Sequence, residues 1–308
     1  MRIVRDHQFV RPEERGASVA IGNFDGVHRG HAHVIDLARR PGASLGVVTF
    51  EPHPRAFFAP DAPPFRLMNA EARANRLAKL GVELLAELPF DASLSGLSAE
   101  AFARDVLAAG LGVSHVVVGA DFCFGKGRTG TAESLRDFGQ TLGFDVTVAP
   151  LLAGSHGAVS STAIRAALSA GEPRQAAEML GHWHRIEGPV LHGEKRGRKL
   201  GYPTANMELH GLHVPRLGVY AVVVDVLSGP NAGAYHGVAN LGIRPMFARP
   251  TPNLETFLFD FSGDLYEQHL SVGLVAFLRP EMNFDGLEPL IAQMDADSAA
   301  ARDALAGA

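Results

Sequence analysis

The chain has 308 residues, 46% apolar and 20% charged, enough to bury two cores of ordinary size, and no apolar run reaches the length that spans a bilayer. A net charge of −5 and a pI near 6.3 give no general attraction for nucleic acid, so phosphate binding must come from local groups and small-molecule partners are expected. The single cysteine, Cys123, excludes an intrachain disulfide framework, and Met1 to Val10 lacks the apolar run of a signal peptide, so the expected compartment is the cytoplasm.

Ala17 to Ile21 is a short apolar run of the kind that fills a parallel sheet, and Val34, Ile35, Leu37 and Ala38 recur at helical spacing. Between them lies Gly22-Asn23-Phe24-Asp25-Gly26-Val27-His28-Arg29-Gly30-His31. The pattern predicts a strand, a glycine-rich turn and a helix whose N-terminus offers unpaired N–H groups to a phosphate. His28 and His31, three apart at the start of that helix, can project to one side and both donate to one phosphate. Taken alone, the pair also fits two surface histidines on a turn. The strand and helix around it favour the phosphate, and the stretch resembles the H-x-G-H signature of the nucleotidyltransferase superfamily. Zinc fits less well, because neither an H-E-x-x-H glutamate nor a third ligand lies nearby.

Ser44 to Phe50 reads as a second buried strand running into the proline-broken Glu51-Pro52-His53-Pro54-Arg55. Helices are expected over Glu71–Leu80, Ala99–Ala108 and Thr131–Thr141, and strands over Glu83–Leu88, Val113–Val118 and Asp145–Pro150. This alternation implies a doubly wound parallel sheet. After the strand ending at Val118, the glycine-dense stretch Gly119 to Gly130 holds Asp121, which either binds a ribose, a base edge or a metal, or caps the backbone. Cys123, in the same stretch, reads as a small buried hydrophobe. Val159-Ser160-Ser161-Thr162-Ala163-Ile164-Arg165 places hydroxyls before a helical run, either as an N-cap or, with Arg165, as a holder of a triphosphate.

A short helix from Glu172 to Leu180 ends at Gly181, and a domain boundary is expected near residue 182. Beyond it, apolar runs at Val219–Val226, Tyr235–Leu241, Glu255–Phe261 and Leu270–Leu278, separated by turns, suggest a small closed antiparallel barrel, with a terminal helix over Leu287–Leu305. Gly193-Glu194-Lys195-Arg196-Gly197-Arg198-Lys199 resembles a solvated charge run, but it leads into Pro203-Thr204-Ala205-Asn206. There Thr204 and Asn206 supply neutral oxygen atoms of the kind magnesium takes, though a polar turn also fits. Alternation in Asn253 to Asp260 puts Glu255 on the face of Phe257 and Phe259. A carboxylate there is either satisfied locally or acts as a general base.

In order along the chain, G-N-F-D-G-V-H-R-G-H, T-F-E-P-H-P, G-A-D-F-C-F-G-K-G-R, S-S-T-A-I-R, G-E-K-R-G-R-K-L-G-Y-P-T-A-N, L-E-T-F-L-F-D-F and F-L-R-P-E closely resemble prokaryotic bifunctional riboflavin kinase/FAD synthetase. The resemblance spans nearly the whole chain. It implies an α/β protein: a Rossmann-like FMN adenylyltransferase domain over 1–182 and a barrel-shaped riboflavin kinase domain over 183–308, each using ATP and magnesium. In the kinase, Glu255 would deprotonate the ribityl 5′-hydroxyl of riboflavin, Thr204 and Asn206 would hold Mg2+, and the loop containing Gly193, Lys195 and Gly197 would cover the ATP phosphates. In the other domain, FMN would attack the α-phosphorus of ATP to give FAD while His28 and His31 stabilise the developing charge. Ser161 and Arg165 would hold the pyrophosphate, and Gly22, Asn23, Phe24, Gly30, Asp121 and Thr162 would belong to the nucleotide site. Two departures stand out: Met246 where the family shows threonine in G-x-R-P-T, and Phe257 where histidine often follows the glutamate.

Overall fold

The computed structural model describes residues 1–154, 157–192, 201–244 and 251–307. It divides into two compact units, Met1–Pro63 with Arg73–Ser160, and Pro64–Ala72 with Ser161–Ala308.

In the first unit the strands are β1 (Arg2–Val4), β2 (Ser18–Ile21), β3 (Leu45–Glu51), β4 (Leu84–Pro89), β5 (His115–Gly119) and, after the short pair β6 (Cys123–Phe124) and β7 (Gly130–Thr131), β8 (Asp145–Ala149). They form a six-stranded sheet in the order β1-β4-β3-β2-β5-β8, and every pairing in it is parallel. The crossovers include α1 (Arg29–Leu37), α2 (Pro54–Phe58), α3 (Ala70–Lys79), α4 (Ala92–Gly96), α5 (Ala99–Ala101) and α6 (Ala132–Leu142). Val19, Ile21, Val48, Ala86, Val116 and Val118 bury one sheet face beneath Phe102, Val106, Leu107 and Leu135. On the other face Ala20, Val47 and Val117 are fully buried, and α1, with Ile35 buried, lies against β2, β5 and β8. Coverage on both faces explains why the strands read as unbroken apolar runs.

Chain order reverses at β2, with β3 on one side and β5 on the other. In such sheets the crevice beyond the carboxyl ends of those strands takes the ligand. The turns following β2 and β5 are the two glycine-dense stretches singled out above.

Two differences from the sequence pattern have local causes. The helix expected over Ala99–Ala108 is α-helical only through Ala101 and then winds as a π-helix over Phe102–Leu111. Its wider turn brings Phe102 and Leu107, and Val106 and Leu111, five residues apart, onto the buried face. Cys123 is only half-buried, because it sits in the two-residue strand β6 rather than in the sheet core.

After the short strands β9 (Ala153–Gly154) and β10 (Gly157–Ala158), the second unit begins with α7 (Ser161–Ala170) and α8 (Pro173–Leu180). Its strands are β11 (His184–Pro189), β12 (Ala205–Glu208), β13 (Gly218–Val226), β14 (Gly233–Arg244), β15 (Thr251–Leu258) and β16 (His269–Arg279), followed by α9 (Leu287–Leu305). They pair antiparallel in the order β11-β16-β13-β14-β15-β12. The two edges meet beyond β11, where the Leu191 N–H donates to the Asn206 carbonyl at 2.8 Å, so the sheet curls into a nearly closed barrel. Ile186, Met207, Tyr220, Val222, Leu241 and Leu254, with Leu270, Val272 and Leu274 of β16, fill the interior. On the outside, Ala301 and Leu305 of α9 pack over Val219, Ala221, Val238, Phe259 and Val275. β15 begins and ends earlier than the apolar run Glu255–Phe261 suggested. Its ladder starts opposite Arg244, and Asp260 closes it with a left-handed φ of 55°.

Candidate active sites

In the first unit, the turn after β2 is held in an unusual conformation. Phe24 and Val27 have φ of 50° and 41°, beside Gly26 at 87°. Left-handed backbone at a non-glycine residue costs of order 1–3 kcal/mol, and more for a β-branched one. Both side chains are buried, each 1% exposed, and this packing offsets the strain. The turn delivers His28 as the N-cap of α1, where its Nδ1 accepts from the His31 N–H at 3.2 Å. A ring nitrogen thus takes the place of the usual serine or aspartate oxygen. Because Nδ1 is the acceptor, the neutral ring carries its proton on Nε2.

His31 stacks on His28 with ring centroids 3.6 Å apart and planes inclined by 14°, while Phe24 leans on its other side at 5.1 Å. Burial, and then the neighbouring His28, hold the His31 imidazole well below its usual range. Its Nδ1 is buried without a hydrogen-bond partner among the described residues. Two stacked rings cannot both be cationic at low cost, so His31 stands neutral beside His28 and offers an N–H donor. Donors fixed in advance at a helix N-terminus are what an accumulating phosphate charge requires.

Gly30 is what lets the rings lie this close. A Cβ at that position would stand 3.1 Å from His28 Nδ1 and 3.2 Å from Cε1. Gly30→Ala must therefore shift a ring held on one side by its cap bond and on the other by His31. Displacements of this kind in a positioned catalytic group cost up to about 100-fold. If the turn serves the FAD formation that the sequence resemblance implies, the expected result is about a tenfold loss of FAD formation from FMN and ATP, with FMN formation from riboflavin unchanged, read by chromatography of the flavins.

The exposed Asn23 sits at the start of the same turn, and its carbonyl accepts from Thr49 Oγ1 at 3.2 Å. Arg73, 1% exposed, reaches the same carbonyl at 3.5 Å and Phe50's at 3.4 Å. Its Nη2 donates to Glu51 and Glu87, each at 2.9 Å. One buried cation therefore ties the turn after β2 to the ends of β3 and β4. Gly119 ends β5, and beyond it the exposed Asp121 makes no side-chain cap bond among the described residues.

Ser161, Thr162 and Arg165 lie on α7 in the second unit. Arg165 donates to the Phe65 carbonyl and to Thr162 Oγ1, both at 3.3 Å, and lies over the Phe65 ring.

The barrel assembles a second polar cluster through strand register. Asn206 on β12 pairs with Glu255 on β15, which pairs on its other side with Asn240 on β14. Leu254 and Leu258 point into the barrel, so alternation turns Glu255 and Phe257 outward. Asn206 is 6% exposed, and its Nδ2 donates to the Thr204 carbonyl at 3.3 Å. Asn253, 4% exposed, donates from Nδ2 to Glu255 Oε1 at 3.1 Å and to Asn206 Oδ1 at 3.4 Å. With Thr204 just ahead of Asn206, the cluster offers a hydroxyl, an amide carbonyl and a carboxylate, all hard oxygen donors. Gly193, Lys195 and Gly197, and Met246, lie outside the described residues.

Residues 10–163 match the family model described as FAD synthetase, and residues 180–305 match the one described as riboflavin kinase. A Pseudomonas fluorescens protein named bifunctional riboflavin kinase/FMN adenylyltransferase is 43% identical over 307 residues, covering 98% of this chain and 97% of its own. The chain belongs to that family. An Escherichia coli K12 protein of the same name is 38% identical, with 98% and 97% covered. A solved structure from Streptococcus pneumoniae, described as a macrolide-efflux protein, has the same fold at a TM-score of 0.84 and 29% identity, covering 98% of both chains.

Like the rest of the riboflavin kinase/FMN adenylyltransferase family, the chain is a bifunctional enzyme that phosphorylates riboflavin to FMN and adenylylates FMN to FAD, with ATP as co-substrate. Among the described residues no helix is long and apolar enough to cross a membrane. Two residues that sequence reasoning did not single out, Arg73 and Asn253, join these clusters. Asn253 had a signal, since it shares Glu255's face by alternation. Arg73 had none, since it lies on a helix and its partners come from β3 and β4.

Proposed function

We propose that the two activities use the two polar clusters separately. In FAD formation, a phosphate oxygen of FMN attacks the α-phosphorus of ATP, and His28 Nε2–H with the His31 ring donates to the oxygens on which charge builds. Gly22, Asn23, Phe24, Gly30 and Asp121 border the nucleotide. Ser161 and Arg165 hold the departing pyrophosphate, with Thr162 beside them on the nucleotide. The observation that carries this reading is the stacked, N-capped histidine pair at the head of α1.

In FMN formation, Glu255 takes the proton of the ribityl 5′-hydroxyl as that oxygen attacks the γ-phosphorus of ATP, and ADP leaves. The Thr204 hydroxyl and the Asn206 carbonyl hold Mg2+, which neutralises charge on the ATP phosphates when bound. The chemistry of this donor set supports that choice of ion, since magnesium binds through few protein oxygens together with phosphates and water. The loop containing Gly193, Lys195 and Gly197 covers the phosphates. We further assign the adenylyltransferase to residues 1–182 and the kinase to 183–308, and place the enzyme in the cytoplasm.

One incubation tests the core of this reading. Riboflavin with Mg-ATP is expected to give FMN and then FAD on chromatography. Excess chelator should stop both steps, and added Mg2+ should restore them. Either flavin forming at full rate in chelator overturns the metal assignment.

A further inference from the structure

Asn253 sits two residues before Glu255 on β15 and is almost wholly buried, at 4% exposure. Its single amide nitrogen lies 3.1 Å from Glu255 Oε1 and 3.4 Å from Asn206 Oδ1, and it carries two hydrogens, one for each acceptor. At the other end of the Asn206 amide, Nδ2 donates to the Thr204 carbonyl at 3.3 Å. Both ends of Asn206 are therefore specified, and with them which way its amide faces. No other common side chain does this in the same space. Aspartate has the shape but brings oxygens against two oxygens, leucine has no donor, and glutamine is one methylene too long for a buried position.

We propose that Asn253 is a positioning residue for riboflavin phosphorylation, holding the Asn206 carbonyl and the Glu255 carboxylate in a fixed relation through one buried amide. It acts through those two side chains. It sets the angle between the oxygen that faces the cation and the carboxylate that receives the proton. The Asn253 amide is one of the groups that fix this carboxylate, and a base that wanders by an ångström loses about 100-fold in rate. The inference rests on the roles assigned above to Asn206 and Glu255.

The test uses the full chain with Asn253→Ala, Asn253→Asp and, as a reference, Glu255→Gln. Asn253→Ala is expected to lower kcat for riboflavin phosphorylation about tenfold, the size of one or two lost hydrogen bonds, with KM for riboflavin within about twofold. FAD formation from supplied FMN stays at its parental rate and certifies the fold. A second readout needs no turnover: calorimetry of ADP with and without Mg2+. The gain in ADP affinity that Mg2+ brings should fall severalfold in Asn253→Ala, while affinity for ADP alone is unchanged. Asn253→Asp keeps the shape and loses both donors, so it should lose at least as much on both readouts. The proposal is overturned if either Asn253 variant keeps parental kcat and the parental Mg2+ effect, or if ADP affinity falls equally with and without Mg2+. The Glu255→Gln reference separates two failures. If that variant still phosphorylates riboflavin normally, the site reading falls; if it is inactive while Asn253→Ala is normal, only the positioning role falls.

Discussion

His28→Ala is expected to lower FAD formation by about 100- to 1000-fold while riboflavin continues to be phosphorylated at the parental rate, so that FMN accumulates from riboflavin and ATP. The magnitude is that of removing one preorganised donor from a developing oxyanion. Alanine removes two things at once, because His28 also caps α1 through Nδ1, and losing a cap costs about 1 kcal/mol of stability. His28→Asn separates them. Asparagine is among the best N-caps, so the His31 N–H keeps an acceptor, but the Nε2–H is gone. His28→Asn should therefore melt close to the parent and still lose most of the FAD activity. His31→Ala should lose a comparable factor, and the double variant little more than the worse single, because the two stacked rings act on one charge. The reading fails if His28→Asn retains FAD activity within a few-fold, or if His28→Ala slows FMN formation equally.

The histidine pair was legible because it needs only local sequence: glycines that open the turn, two rings three residues apart, and a helix behind them. The parallel sheet was legible for a similar reason, since strands covered on both faces show as continuous apolar runs. What was not legible depends on partners far along the chain. Arg73 reads as the polar side of an ordinary helix until Glu51 and Glu87 close on it. β12, Ala-Asn-Met-Glu, has no β-branched residue and becomes a strand only by pairing with β15 on one side and closing the barrel on the other. β1 is three residues long and gains its place from β4. The segment Pro64–Ala72 precedes Arg73 without a break in pattern, yet it groups with the barrel, where the Arg66 carbonyl accepts from His213 and Asn69 donates to the Glu187 carbonyl at 3.0 Å. No period in the sequence marks that change of allegiance.

The other large effect belongs to Glu255. Glu255→Gln keeps the side chain's length and still offers an oxygen to Asn253 Nδ2, so the row of Asn206, residue 255 and Asn240 survives without its charge. General-base contributions run at about 100- to 10,000-fold, and that is the loss expected in kcat for riboflavin phosphorylation, with riboflavin and Mg-ADP binding near parental levels. The partition of products then reverses relative to His28→Ala. Glu255→Gln given riboflavin yields neither flavin product, but given FMN it yields FAD at the parental rate. A carboxylate kept only to satisfy Asn253 predicts something else, since glutamine satisfies that donor equally well and the variant would keep kcat within about tenfold of the parent. The isosteric amide therefore distinguishes the two explanations for a carboxylate beside Phe257 on the outer face of the barrel. Restoring turnover by raising the pH should fail in Glu255→Gln, because an amide has no proton-accepting form to recover.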